Sequence, residues 1–219
     1  MTEVRRMNPP PAHLDHLIVA ATTLADGIEF IAEVTGVVPQ PGGKHVAMGT
    51  HNALLRLGDR VYLEIIAIDP DGEKPPRPRW FDLDDPAMQA QLAERPRLIH
   101  WAARTHDLDA ALAATPIPLG TPHPMARGDF RWRITIPDNG VRPAGGVLPT
   151  LLQWEGRHPA DNLPASGATL AQFAASHPTP DAMRKTLGAL GLQDALTVTY
   201  GSPPRLAALL RTPRGLVSI

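Results

Sequence analysis

Two histidines stand at matching places in two similar stretches, "LDHLIVAATTL" at 14–24 and "LIHWAARTHDL" at 98–108. Aligned without gaps, the stretches agree at Leu14/Leu98, His16/His100 and Leu24/Leu108, and both are apolar in the middle. A repeated imidazole either serves one shared site or is a satisfied residue inherited by both copies. The second candidate is Glu64, which interrupts the apolar run "VYLEIIAI". A carboxylate there is costly to bury unless it is paired, hydrogen-bonded or metal-bound. In "GTHNALL" alternation puts His51 and Asn52 on opposite faces, and the company of Ala53, Leu55 and Leu57 assigns His51 to the better-buried one. In "FRWRIT", Arg131 and Arg133 alternate with Trp132 and Ile134, so one face either binds an anionic group or is simply solvated. Trp101, Trp132 and Trp154 read as core or pocket wall, and His158 in "GRHPA" as part of a turn.

These residues need elements to position them. Residues 14–20 read as a strand, and 24–36 as a helix with Leu24, Ile28, Ile31 and Val34 on one stripe and Gly36 at its end. A short strand in turn material and a hairpin over 51–69, closed by Gly58-Asp59-Arg60, complete a β-α-β-β-β order. The order repeats as "RLIHWAAR", "DLDAALAAT", "FRWRITIP" and "TLLQWEG". A fainter third echo follows, in which 205–211 is helical by propensity but a hairpin strand by the repeat. The expected organisation is a ragged start at 1–13, a first module at 14–69 and a Pro-rich linker with a short helix at 70–96. A second module at 97–160 and a C-terminal βαβ-containing module at 161–219 packed on the pair complete it. The linker helix is "PAMQAQLAE", capped by Asp84 or Asp85.

Composition narrows the function. The chain has 219 residues, 43% hydrophobic and 20% charged, which suffices for a sizeable core. A net charge of −1 gives no footprint for nucleic acid. Without cysteine, thiolate metal sites and cysteine nucleophiles are excluded. The run "LIVAA" is too short for a signal peptide core, and no stretch approaches a membrane span, so a cytoplasmic protein is expected.

Paired βαβββ modules, each opening on a histidine strand and closing on a carboxylate or amide strand, resemble the vicinal oxygen chelate superfamily. More narrowly, "LDHLIVA", "GTHNALLRLG", "YLEIIA", "LLQWEGRHPA" and "LLRTPRGLVSI" are similar to the glyoxalase-like domain family. The resemblance implies an α+β fold in which the two modules share one site. It implies a divalent metal (Zn, Ni, Fe or Mn) on His16 and Glu64 from the first module and on His100 and Gln153 from the second. Gln153 follows from matching "YLEII" to "LLQWE"; an amide can ligate but cannot shuttle a proton, so Glu64 and Glu155 are the candidate catalytic carboxylates. His51, Asn52, Trp101, Arg131 and Arg133 are the candidate substrate contacts. The implied activity is that of a metal-dependent lyase, isomerase or dioxygenase on a small oxygen-rich, anionic substrate. The alternative is a metal-free protein that binds or sequesters a small molecule in the same cleft, and a third reading gives the modules a role in assembly. No nucleic-acid or membrane partner is expected, and a homodimer stays open.

Overall fold

The computed structural model describes residues 11–219, so most of the expected ragged start lies outside the described residues. The first module comprises β1 (His13–Ala20), α1 (Leu24–Thr35), β2 (Gln40–His45), β3 (Thr50–Gly58) and β4 (Val61–Ile68). After α2 (Pro86–Glu94) the second comprises β5 (Arg97–Arg104), α3 (Leu108–Ala114), β6 (Thr121–Arg127), β7 (Phe130–Ile136) and β8 (Thr150–Trp154). These eight strands form one sheet in the order β2-β3-β4-β1-β5-β8-β7-β6. Its two outer strands, β2 and β6, approach each other, so the sheet is curled. The fold is the expected α+β arrangement, with the four strands bearing the repeated motifs at its centre.

The repeat is written into the register. Antiparallel β1 and β5 pair His16 with Ala102 and Ile18 with His100, a local two-fold through the Leu17–Trp101 pair. Each strand carries one bulge, and the extra residues are Asp15 on β1 and Ile99 on β5, which the repeat also equates. Both central strands are covered on both faces, and their near-continuous apolar runs reflect that.

On the outer face α1 packs against β3 and β4. Thr23 caps it by accepting from Asp26 N (3.1 Å), and Gly36 ends it at φ 75°, the left-handed position glycine fills without strain. A second sheet also covers this face: β9 (Thr169–His177), β10 (Thr197–Tyr200), β11 (Arg205–Thr212) and β12 (Gly215–Ser218), ordered β10-β9-β11-β12, with α4 (Pro180–Ala189). Residues 205–212 are therefore strand. The third echo is not a third copy of the module, because its first strand lies beside β10 and β11 and not beside its last strand. Its core is continuous with that of the main sheet, and Phe173 meets Trp101 edge to face at 5.5 Å.

The inner, concave face is filled by the segment expected only to link the modules. Trp80, Phe81, Leu83, Met88 and Leu92 are all buried there with Ile18, Ala102 and Leu152. Phe81 and Asp82 adopt left-handed backbone (φ 63° and 59°), a conformation with a cost of its own. Two ion pairs pin it: Asp82–Arg142 at 2.6 Å and Asp84–Arg79 at 2.7 Å. Asp85 caps α2 by accepting from Ala87 N at 2.6 Å. Among the described residues no helix is long and apolar enough to cross a membrane.

Because the two sheets share one core, Phe173→Ala is expected to lower stability by about 3–5 kcal/mol, the usual cost of a buried Phe-to-Ala cavity. Urea unfolding followed by tryptophan emission and by circular dichroism should give one coincident transition at the lower midpoint. Separate transitions for the two sheets would contradict the shared core.

Candidate functional site

Bulging at Asp15 breaks the alternation of β1, and both Asp15 and His16 reach the concave side. There they join a continuous polar chain across the sheet. Arg127, at the end of β6, donates from Nη1 to Asn52 Oδ1 (2.9 Å). Asn52 Nδ2 donates to Glu64 Oε1 (2.5 Å), and Glu64 Oε2 lies 3.4 Å from His16 Nε2. His16 Nδ1 donates to Asp15 Oδ1 (2.7 Å). The second oxygen of Asp15 accepts from Trp154 Nε1 and from His158 Nε2, each at 2.9 Å. His158 is held in that tautomer because its Nδ1 accepts from Ala160 N (3.2 Å).

Two glycines make the crossing possible. A Cβ on Gly42 would stand 2.0 Å from Asn52 Oδ1, and one on Gly43 would stand 2.9 Å from Arg127 Cδ. Gly43 also donates its backbone N–H to Asn52 Oδ1 (2.9 Å). His45 completes the cluster: its Nε2 accepts from Arg127 Nη1 at 3.3 Å while its Nδ1 faces Thr50 Oγ1 at 3.2 Å.

The polar chain floors a narrow pocket that opens to solvent. Its walls are Tyr62, Trp80, Phe81, Trp132 and Trp154, with Ile134 and Leu152. Tyr62 stacks on the His16 ring at 4.6 Å, and Trp80 meets His45 edge to face at 5.1 Å. The indole N–H of Trp80 is buried and has no hydrogen-bond partner among the described residues.

The two modules differ electrostatically. Burial alone would strip the proton from His16, but the carboxylates of Asp15 and Glu64 outweigh it and raise its pKa to about 9. Burial would raise Glu64, yet His16, His45 and Asn52 bring it down to about 2. Asp15 is likewise held well below the usual range against burial by His158 and His16. His16 is thus an imidazolium between two carboxylates. Its repeat-mate His100 is the opposite case: burial, helped by Arg142, lowers it to about 3. Its Nδ1 faces Gly146 O at 3.3 Å and its Nε2 faces Thr150 Oγ1 at 3.0 Å.

The register explains the difference. On β4, Glu64 pairs with Ile18, two residues after His16; on β8, Thr150 pairs with Ala102, two residues after His100. Thr150, and not Gln153, is the counterpart of Glu64. Gln153 points to the outer face, where its Oε1 accepts from Leu108 N (3.1 Å) at the start of α3. In the second module Ile99 replaces Asp15 and Thr150 replaces Glu64, so His100 has lost both carboxylates.

The four donors expected to hold a metal therefore do not fit one ion. Gln153 is across the sheet, and His100 has both nitrogens engaged under Phe81 (5.1 Å ring to ring). Among the described residues no group of three or more histidine, cysteine or acidic side chains is arranged to hold a metal.

His16, Glu64 and Asn52 are in the pocket; the other expected contacts are elsewhere. His51 is half-buried on the opposite face from Asn52, 4.0 Å from Asp69, because the larger apolar core under Ala53, Leu55 and Leu57 is the outer one. Trp101 is sealed in that core, its Nε1 donating to Val147 O at 3.0 Å. Glu155 is exposed beyond β8. Arg131 is exposed and turned back on Gly128 O and Phe130 O, and Arg133 pairs with Asp109 at 2.8 Å on the outer face. Arg127, His45, Trp80, Phe81 and Asp15 carry no sequence signal of comparable strength. The one available hint was Asp15 itself, adjacent to the repeated histidine.

A curled sheet of paired βαβββ modules with its site on the concave face defines the vicinal oxygen chelate class. A glyoxalase-like domain family model matches residues 14–191, and the chain belongs to that family. No curated protein matches the chain. Among solved structures, a hypothetical protein from Staphylococcus aureus is 14% identical, with 94% of this chain and 83% of that one covered and a TM-score of 0.57. Methylmalonyl-CoA epimerase from Streptomyces coelicolor, in complex with 2-nitronate-propionyl-CoA, is 20% identical over 68% of this chain and 98% of its own, with a TM-score of 0.43. The Mycobacterium tuberculosis epimerase is 21% identical over 66% and 87%, with a TM-score of 0.41.

The opposed histidines set the pH dependence of stability. His16 keeps its proton to about pH 9 when folded, against 6.5 ordinarily, so its contribution is complete below pH 6.5 and drains away as pH rises toward 9. His100 and His45, depressed to about 3 and 4, act in the other direction: the unfolded chain takes up protons first, and stability falls as pH drops below 6.5. Calorimetric Tm at constant ionic strength should peak near neutrality and decline on both sides, and His16→Asn should flatten the alkaline limb. A Tm that climbs steadily to pH 9 would contradict the assignment.

Proposed function

We propose that this protein binds a small, planar, oxygen-bearing molecule in the aromatic pocket and does so without a metal. The observation that carries this reading is the continuous chain of hydrogen bonds and ion pairs Arg127–Asn52–Glu64–His16–Asp15 beneath five aromatic side chains. The rings offer flat apolar contact, and the floor offers a few fixed polar groups for orientation, as small-molecule sites do.

Binding is better supported than catalysis. Glu64, held near a pKa of about 2, is a poor acceptor for a proton at neutral pH. The reading as a metal-dependent lyase, isomerase or dioxygenase draws Gln153 into the ligand set with His16, Glu64 and His100, and Gln153 lies on the other face of the sheet.

Trp80, Trp132 and Trp154 line the pocket whereas Trp101 does not, so ligand occupancy is expected to quench most of the intrinsic emission that responds to it. A thermal-shift screen of small oxygen-bearing compounds should find hits that raise Tm by mass action and quench this emission. Titration with Zn, Ni and Mn should give no saturable binding to wild type or to Glu64→Gln. Saturable metal binding in wild type that is lost in Glu64→Gln would overturn the metal-free reading.

A further inference from the structure

A second, larger cavity of about 530 Å³ opens beside the inner pocket, between Gln40–Gly42 on the sheet edge, the turn at 127–130 and the segment 157–164. The two cavities share one lining residue, Arg127. Its Nη1 is engaged by Asn52 and His45, and its guanidinium carbon lies 5.9 Å from the centre of the Phe130 ring; Nε and Nη2 make no hydrogen bond among the described residues. Arg157 stands in the same outer cleft, donating to Asn162 Oδ1 at 3.1 Å and lying 4.0 Å from Asp129, the one acidic residue of the lining. The cleft thus carries two guanidinium groups against one carboxylate, and Phe130, Leu54 and Leu163 give it apolar wall between the charges.

Resting on the small-molecule reading above, we propose that the ligand is bipartite: its planar head enters the inner pocket and an oxyanion-bearing arm lies in the outer cleft. Arg127 binds at the junction and Arg157 at the far end. The ligand class is an aromatic or conjugated molecule carrying a carboxylate, sulfonate or phosphate. Arginine suits this role, because its planar fork remains charged and binds oxyanions in a fixed geometry. Continuity through a single half-engaged guanidinium argues for one ligand and not for two independent sites.

A matched pair of probes tests the arm separately from the head. 8-Anilinonaphthalene-1-sulfonate and N-phenyl-1-naphthylamine share their ring system and differ by the sulfonate. Fluorescence titration of the intact chain should show the sulfonate bound more tightly than the amine. Arg157→Gln, an exposed position whose folding is checked by its melt, should weaken the sulfonate about threefold to fivefold, the range of a solvent-exposed charge pair, and leave the amine unchanged. Trp132→Ala should weaken both probes. Equal affinity for the two probes, or an unchanged preference in Arg157→Gln, would overturn the oxyanion arm alone. Failure of both probes to bind, or indifference of both to Trp132→Ala, would overturn the pocket reading together with it.

Discussion

Asp15 is a carboxylate with no solvent exposure whose hydrogen-bond partners are two histidines and a tryptophan, with no lysine or arginine in ion-pair contact among the described residues. An ion in that position is tolerated only if its lone pairs are met, and losing one partner of a buried charge costs about 3–5 kcal/mol. The surrounding structure meets that demand. The bulge on β1 turns Asp15 inward, the loop after β8 brings His158 back beneath it, and Trp154 closes the last position. The anion in turn keeps His16 charged, and His16 fixes Glu64, Asn52 and, through them, Arg127. One buried charge therefore joins the two modules of the sheet and sets the polarity of the pocket.

The two-fold of the backbone and the asymmetry of the chemistry have separate causes. Register, bulges and strand order repeat between the modules, whereas the residues at two equivalent places do not. With Ile99 and Thr150 in place of Asp15 and Glu64, the second module holds His100 neutral and packs Phe81 over it. The insert that supplies Phe81 and Trp80 then occupies the concave face, and the open pocket takes its carboxylate and histidines from the first module and Arg127, Trp132, Ile134, Leu152 and Trp154 from the second.

Much of the fold was legible because it depends on apolar spacing. The repeated strand-helix order, the hairpin over 51–69, the Gly36 stop and the α2 cap all follow from local chemistry that tertiary contacts do not override. The site was legible where a residue contradicted its surroundings: Glu64 inside an apolar strand and His16 at the repeat. It was not legible where the outcome depended on register. Sequence matching placed Gln153 opposite Glu64, and the β8 pairing shifts that position to Thr150. The bulge brings Asp15 and His16 to one face, which simple strand alternation does not anticipate. Counting apolar neighbours sent His51 inward, because both faces of this sheet are buried and the pocket is on the smaller core. Arg127 arrives from the far edge of the curled sheet, a contact that no short stretch encodes.

The central claim is that His16 is held between Asp15 and Glu64, which favour its imidazolium form, and that this cluster binds no metal. Side-chain ¹⁵N NMR of His16 at pH 7.5, before and after addition of zinc, addresses it directly. The account predicts that both ring nitrogens carry protons and that their resonances are unmoved by zinc. A neutral ring with an unprotonated Nε2 that shifts on zinc addition would contradict it.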